Sequence, residues 1–245
     1  DALNLFQQDE DPQDADVIVI AGPIKQFAES EVGALGRFLN KGGNVLAMLD
    51  PETNSGLEYL FADWNIRFNG DMVLESHSSF VLTSSGLNRQ SSVSFAPTAA
   101  EYGDHMITKN FRFATSFVKA QSLSKINEEN MDSNISELVY TSSNSWGETD
   151  FKMLFEENQA SVDDADIEGP TTLAMAIEKE DSVKTRLVLI GDSDFSADVY
   201  VSQAPGNMDF FLNIVSWLAE EEDLISVRPK QPENRPLTMT MRQQK

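Results

Sequence analysis

Two hydrophobic periods alternate along the chain, and each change of period marks an element. They are clearest over residues 16–51. Residues 17–20 are an unbroken β-branched run closed by Ala21-Gly22-Pro23, which predicts a strand buried on both faces. The period then lengthens. Val32, Leu35 and Leu39 fall at i, i+3 and i+7, and Phe38 widens the stripe, so a helix follows. Glu29 and Glu31 lie in its first turn, at the positive end of the dipole. Lys41 and Gly42-Gly43 close it, with a glycine free to turn left-handed. Residues 45–49 are a second apolar strand, stopped by Asp50-Pro51. Strand, helix and strand of this length form a βαβ unit with a parallel strand pair and a right-handed crossover.

The remaining pattern is less regular. Residues 1–14 are polar and acidic around Leu3, Leu5 and Phe6 and read as the end of a preceding helix or strand. Ser55 caps a short helix over 56–64, with Leu57, Leu60, Phe61 and Trp64 on one face. Short strands at 66–68 and 72–74 flank the turn dipeptide Asn69-Gly70. Residues 76–97, rich in Ser, Asn and Thr, predict an irregular or β-rich surface excursion. Phe111, Phe113, Phe117 and Val118 nearly alternate, which predicts a strand through 115–120. Another strand at 138–141 leads into a polar turn, 142–150, around Trp146. Residues 156–169 are a solvated acidic loop. Strands at 171–177 and 186–190 are joined by a polar connection of hairpin length. The last long helix starts near Asn207 or Met208 and buries Phe211, Ile214, Val215 and Leu218, ending in the acidic run 220–223. Residues 224–227 add a small strand, and a Pro-rich linker follows from Arg228.

Composition narrows the function. At 245 residues the chain buries a sizeable core as one large domain or a domain with an insertion. It carries 40 acidic and 18 basic residues, a formal net charge of -22, which argues against nucleic acid and anionic headgroups as direct partners. There is no cysteine, so thiol nucleophiles, disulfides and Cys-ligated metals are excluded. His77 and His105 are the only histidines, too few for a His-rich metal site. No apolar run of about 18 residues occurs, so no membrane span is expected within this sequence.

The most suggestive motif is Gly191-Asp192-Ser193-Asp194-Phe195, just past a buried strand, where open α/β sheets bind ligands. Two readings stand. Asp192 and Asp194 bind a cation or a sugar hydroxyl, or they cap the following turn through backbone N–H groups. Asp50 ends a neighbouring strand and is expected on the same sheet edge, so the three carboxylates would share a polar cleft. Trp146, beside Glu148 on a polar loop, either stacks on a sugar or partner protein or packs as a lid over the core. His105 reads as a structural histidine in a turn. There is no G-x-S-x-G elbow, no P-loop and no G-x-G-x-x-G spacing, so no cofactor is expected and no catalytic residue is assigned.

Three pieces in this order carry a resemblance across nearly the whole chain. The first is VIVIAGP, with the helix ending Asn40-Lys41-Gly42-Gly43 and the strand ending Leu49-Asp50-Pro51. The second is Tyr102-Gly103-Asp104-His105-Met106-Ile107-Thr108, followed by Ser145-Trp146-Gly147-Glu148. The third, and most specific, is LVLIGDSDF, then Gly206-Asn207-Met208-Asp209-Phe210-Phe211-Leu212-Asn213, Trp217-Leu218-Ala219 and Arg228-Pro229-Lys230. Together they resemble the extracytoplasmic domain of the auxiliary component of gliding-motility-type ABC transporters.

The resemblance implies an α/β, Rossmann-like or flavodoxin-like fold with a mostly parallel sheet, helices on both faces and a β-rich or irregular insertion over about 76–150. The fold would be similar to class I glutamine amidotransferase-like domains and to an intraflagellar transport domain. It implies a single extracytoplasmic domain, 1–227, and a juxtamembrane linker, 228–245, held between membrane segments outside this chain, at the periplasmic face of a bacterial inner membrane. The implied partners are ABC permease and ATPase subunits, with a glycan or other extracytoplasmic ligand. The amidotransferase nucleophile is a cysteine, which this chain lacks, so that chemistry is not carried over.

The leading expectation is therefore a non-catalytic periplasmic domain that binds a partner protein or the transported substrate through Asp50, Trp146, Glu148, Asp192, Asp194 and Asn207. Asn207 would otherwise tie loops together. The alternatives are a carbohydrate-active or other hydrolase with a carboxylate pair, and a structural or oligomerisation module.

Overall fold

The computed structural model describes residues 15–225 apart from 84–85, 129–132 and 181, with no side-chain description at 80–87. The expectations for 1–14, for 226–227 and for the linker 228–245 lie outside the described residues. In chain order the first elements are β1 (Val17–Ala21), α1 (Glu29–Asn40), β2 (Asn44–Met48), α2 (Glu58–Ala62), β3 (Ile66–Phe68), β4 (Met72–Thr83) and β5 (Gly86–Ser94). Then come β6 (Glu101–Tyr102), β7 (Leu123–Lys125), β8 (Asn134–Tyr140), β9 (Ser145–Glu148), α3 (Phe151–Glu156) and β10 (Ile167–Glu168). β11 (Thr172–Glu180), β12 (Lys184–Ile190), α4 (Asp198–Val201) and α5 (Gly206–Leu218) are the last strands and α-helices among the described residues.

The predicted βαβ unit is present. β1 and β2 pair in parallel, Ile18 opposite Val45. The termini of α1 explain its length. At its start the Ala28 N–H donates to Glu31 Oε2 at 2.8 Å, since the N-cap alanine has no acceptor of its own. At its end Gly42 and Gly43 donate to the carbonyls of Leu39 and Phe38, and Gly42 has φ +93°, the left-handed stop the glycine pair predicts. Ala34, Leu35, Phe38 and Leu39 are buried along the expected stripe.

The main sheet is mixed rather than mostly parallel. β1, β2 and β12 run parallel, but β12–β11, β11–β8, β8–β6, β11–β7 and β7–β3 are all antiparallel. The short link from Glu180 to Lys184 forces β11 and β12 to be antiparallel, because a hairpin cannot join parallel strands. β1 is also not buried on both faces. It ends the strand order, and Val19 is 46% exposed between buried Ile18 and Ile20. β2, by contrast, is buried throughout. Its Leu46 and Met48 join one core cluster with Phe210, Ile214 and Trp217 of α5. Its Val45 and Ala47 join a second cluster with Leu35, Phe38 and Leu39 of α1.

Residues 72–94 resolve the ambiguous excursion as β-rich: β4 and β5 form a long hairpin in a second sheet ordered β10-β9-β4-β5. β7 and β8 return to the main sheet. Two expected loops and strands exchange character. The turn at 142–150 contains β9, whose four residues are all buried. The strand expected at 115–120 forms only one regular bridge, between Thr98 and Ser116, flanked by backbone hydrogen bonds from Ala99 to Thr115, from Phe117 to Pro97 and from Lys119 to Phe95. Lys119 there has φ +56°, which breaks a strand. Helix α5 is rotated from its expected face. Phe210, Ile214, Trp217 and Leu218 are buried, whereas Phe211 is only partly so. Leu224 lies in a 3-10 turn, not a strand. No helix among the described residues is long and apolar enough to cross a membrane.

Candidate functional site

The ends of β1, β2 and β12 meet, as the sequence predicts, but they close on one another. Asp192 follows β12 and is fully buried. Its Oδ2 accepts the Val118 N–H at 2.7 Å, and its Oδ1 accepts the N–H groups of Asp194 and Phe195 at 2.7 and 3.3 Å. It thereby caps the 3-10 turn Asp194–Ser196 and pins the irregular 115–120 segment. Asp50, past β2, is engaged through both oxygens: the Ser193 N–H donates to Oδ1 at 2.6 Å and the Ser193 hydroxyl to Oδ2 at 2.7 Å. Gly22, past β1, sits against this pair. Its φ is +54°, and a Cβ there would lie 2.5 Å from Ser193 Oγ and 2.9 Å from Asp50 Oδ2.

Burial pushes the Asp192 carboxyl up to about 8, against the pull of its backbone donors and with help from nearby Asp50 and Asp194. Asp194 alone of the three carboxylates is exposed. An acid–base pair needs oxygens that face substrate; here two of three carboxylates are spent on N–H groups, so the expected open cleft is not formed. Asn207 opens α5 and is also fully buried. Its Oδ1 accepts the Ser116 N–H at 3.0 Å, and its Nδ2 donates to the carbonyls of Ser116 and Phe195 at 2.8 and 2.7 Å. Of the two readings of Asn207, loop tying is the one this geometry carries.

Trp146 and Glu148 do not join the strand-end group. They lie on β9 in the second sheet, opposite Leu74 and Met72. Trp146 is 4% exposed and packs with Met72, Leu74 and Leu154, so it is core rather than a stacking platform on a loop. Its indole N–H donates to Glu148 Oε2 at 3.3 Å, and Glu148 Oε1 accepts the Asp150 N–H at 3.0 Å. The polar neighbours of Trp146 made the segment read as a loop, yet they satisfy one another inside. Nearby Asp71, which sequence reasoning passed over, is buried and accepts the Ser122 N–H and hydroxyl at 2.7 and 2.5 Å. Burial raises its carboxyl pKa despite those bonds.

The opposite end of β12 carries a charged cavity of about 400 Å³ that the sequence did not announce. Arg186 forms its floor. Its guanidinium donates to Glu178 Oε2 at 2.9 Å, to Glu222 Oε1 at 2.5 Å and to the Trp217 carbonyl. It also stands 4.6 Å from the centre of the Trp217 ring, a cation–π arrangement. His105 meets the same ring edge-on, with centroids 4.8 Å apart. Burial lowers the His105 pKa. Burial also acts to raise Glu178, but Lys184 and Arg186 outweigh it and hold that carboxyl below its usual range. Lys109, Asn134 and Ser136 complete the rim. The cavity presents both charges and amide and hydroxyl groups, a lining suited to polar ligands. The one sequence signal was an arginine directly ahead of the apolar run Leu187–Ile190 of β12. Among the described residues no three His, Asp or Glu side chains gather to hold a metal ion.

The fold is similar to that of the mmIFT52 N-terminal domain, with a TM-score of 0.59 at 14% identity over 83% of this chain and 77% of that one. A ThuA-like protein from Bacteroides uniformis ATCC 8492 aligns with a TM-score of 0.39 at 12% identity, over 83% of this chain and 69% of that one. The exo-beta-1,4-mannosidase Op5Man5 from Opitutaceae bacterium strain TAV5 aligns with a TM-score of 0.32 at 11% identity, over 90% of this chain and 27% of that one. No curated protein matches the chain. The sequence does match a family model over residues 1–214, and the chain belongs to that family, the auxiliary ABC-type uncharacterized transport system.

Proposed function

We propose that this chain is a non-catalytic, extracytoplasmic domain of a membrane-anchored ABC transporter auxiliary subunit of gliding-motility type. It binds a partner protein or the transported substrate on the periplasmic side, beside an ABC permease and ATPase. The observation that carries the reading is the family match over residues 1–214. Two structural features support it. The strand-end carboxylates Asp50 and Asp192 hold loops rather than face a cleft, which favours binding over a carboxylate-pair hydrolase. The division of α1 and α5 between two core clusters is what a Rossmann-like domain with helices on both faces would give.

The side of the membrane tests the proposal. The chain has no cysteine, so Val199→Cys, at a position 59% exposed, adds a single thiol to it. In the full-length protein, in cells whose outer membrane has been permeabilised, a membrane-impermeant maleimide should label that thiol. Labelling only after the inner membrane is broken would place the domain in the cytoplasm and overturn the reading.

A further inference from the structure

The second sheet has one face only half covered. Side chains alternate along β4, so Met72, Leu74 and Ser76 share a face, and their cross-strand partners Trp146 and Val93 share it with them. Helix α3 covers Met72, Leu74 and Trp146 through Leu154 and Phe151. It is six residues long and stops there. Beyond it Val93 is 41% exposed and, with Val162 and an edge of Trp146, lines a cavity of about 420 Å³. Two residues on from Val93 an aromatic stack begins. Phe95 and Phe155 lie 6.4 Å apart and 18° from parallel, and Phe155 and Phe151 lie 6.2 Å apart and 8° from parallel. Phe95 and Phe155 are 37% and 43% exposed, and Val162 is 51% exposed.

Exposed apolar side chains scattered singly need no explanation, but several gathered on one sheet face, two residues along the chain from an open cavity, mark an interaction site. Stacking fixes the phenyl rings in place, so little rotamer entropy remains to be lost on binding. The surround is predominantly acidic: Glu168 lines the cavity, and Asp150, Glu156, Glu157, Asp163 and Asp164 are exposed on the segments that carry Phe151, Phe155 and Val162, against the bases Lys152 and Lys119 among the described residues. A second copy of a chain with net charge -22 is repelled from such a rim, and so are anionic headgroups.

We propose that this face docks a basic, apolar segment of a partner protein. Its arginine or lysine side chains would lie over the Phe95 and Phe155 rings and pair with the carboxylate rim, while its apolar side chains enter the Val93–Trp146–Val162 cavity. The site is independent of the membrane side proposed above, and its test works on the isolated chain, so either can fail without the other.

Fluorescence anisotropy of a labelled peptide alternating arginine and leucine, titrated with the full chain at about 0.15 M salt, tests it. Binding is expected, with Phe95→Ser/Phe155→Ser weakening it about tenfold. Since that variant keeps every charge, equal binding by it would reduce the effect to general attraction and overturn the proposal. Asp163→Lys/Asp164→Lys should weaken binding from the charge side if the aromatic variant is unfolded by circular dichroism. Ile24→Ser, at a residue 87% exposed elsewhere, should bind as the parent does. A glutamate–leucine peptide binding equally well, no binding at all, or wild-type self-association abolished by the aromatic variant would each overturn it.

Discussion

Ser193 satisfies both oxygens of Asp50, its N–H at 2.6 Å and its hydroxyl at 2.7 Å, and so locks the end of β2 to the turn after β12. Gly22 seals the same joint from β1. A methyl at Gly22 meets the pair and forces a left-handed alanine. Gly22→Ala should therefore destabilise the fold by about 1–3 kcal/mol, read from the urea midpoint. Ser193→Ala, which leaves the Asp50 carboxylate half bonded, should cost about 1–2 kcal/mol.

Asp192 makes stability fall with rising pH. Its folded carboxyl ionises at about 8, whereas an unfolded aspartate ionises at about 3.9. Between those values the folded chain keeps a proton that the unfolded chain has released. Its contribution is thus full below about pH 4 and is lost as pH climbs through about 8. Asp192→Asn removes the titrating group, although its amide nitrogen cannot accept the N–H that one carboxyl oxygen accepts. Urea midpoints measured from about pH 5 to 8 should decline more steeply for wild type than for this variant. Parallel declines would contradict the assignment.

Asn207 joins the start of α5 to two loops through three bonds. Asn207→Ala should cost about 2–4 kcal/mol in chemical denaturation, because two buried carbonyls and an N–H lose their partner. Asn207→Asp should not rescue it, since a carboxylate has no proton to give the Ser116 and Phe195 carbonyls.

Arg186 holds the charged cavity together. With the arginine side chain only 5% exposed but its carboxylate partners partly solvated and Glu178 still paired with Lys184, Arg186→Met should cost about 1–3 kcal/mol. Arg186→Lys should recover little, because one ammonium cannot replace a fork that reaches Glu178, Glu222 and the Trp217 carbonyl at once. Urea denaturation of the two variants checks both expectations.

These residues also show which parts of the molecule the sequence could disclose. The β1–α1–β2 unit was legible because local signals agreed: the stripe of Leu35, Phe38 and Leu39, the acidic first turn and the glycine stop all act within one helix. β11 and β12 were legible as apolar runs around a short polar link. The direction of the sheet was not, because pairing is decided by partners far along the chain. Phe111, Phe113 and Phe117 alternate like a strand, yet Phe117 and Lys119 donate to Pro97 and Phe95, and Val118 donates to Asp192. β9 was hidden for the converse reason: Trp146 and Glu148 look solvated until each is seen to satisfy the other inside the second sheet. At the strand ends the carboxylates could be placed from sequence, but their role could not. That role depends on Val118 and Ser193 N–H groups that only the folded chain brings within reach.

The domain is proposed to serve an ABC transport complex by binding. Purification of the full-length protein from gently solubilised membranes, with mass spectrometry of what accompanies it, tests this most directly. An ABC permease and ATPase are expected in stoichiometric yield. Recovery of the protein alone, under conditions that keep a control transporter intact, would contradict it.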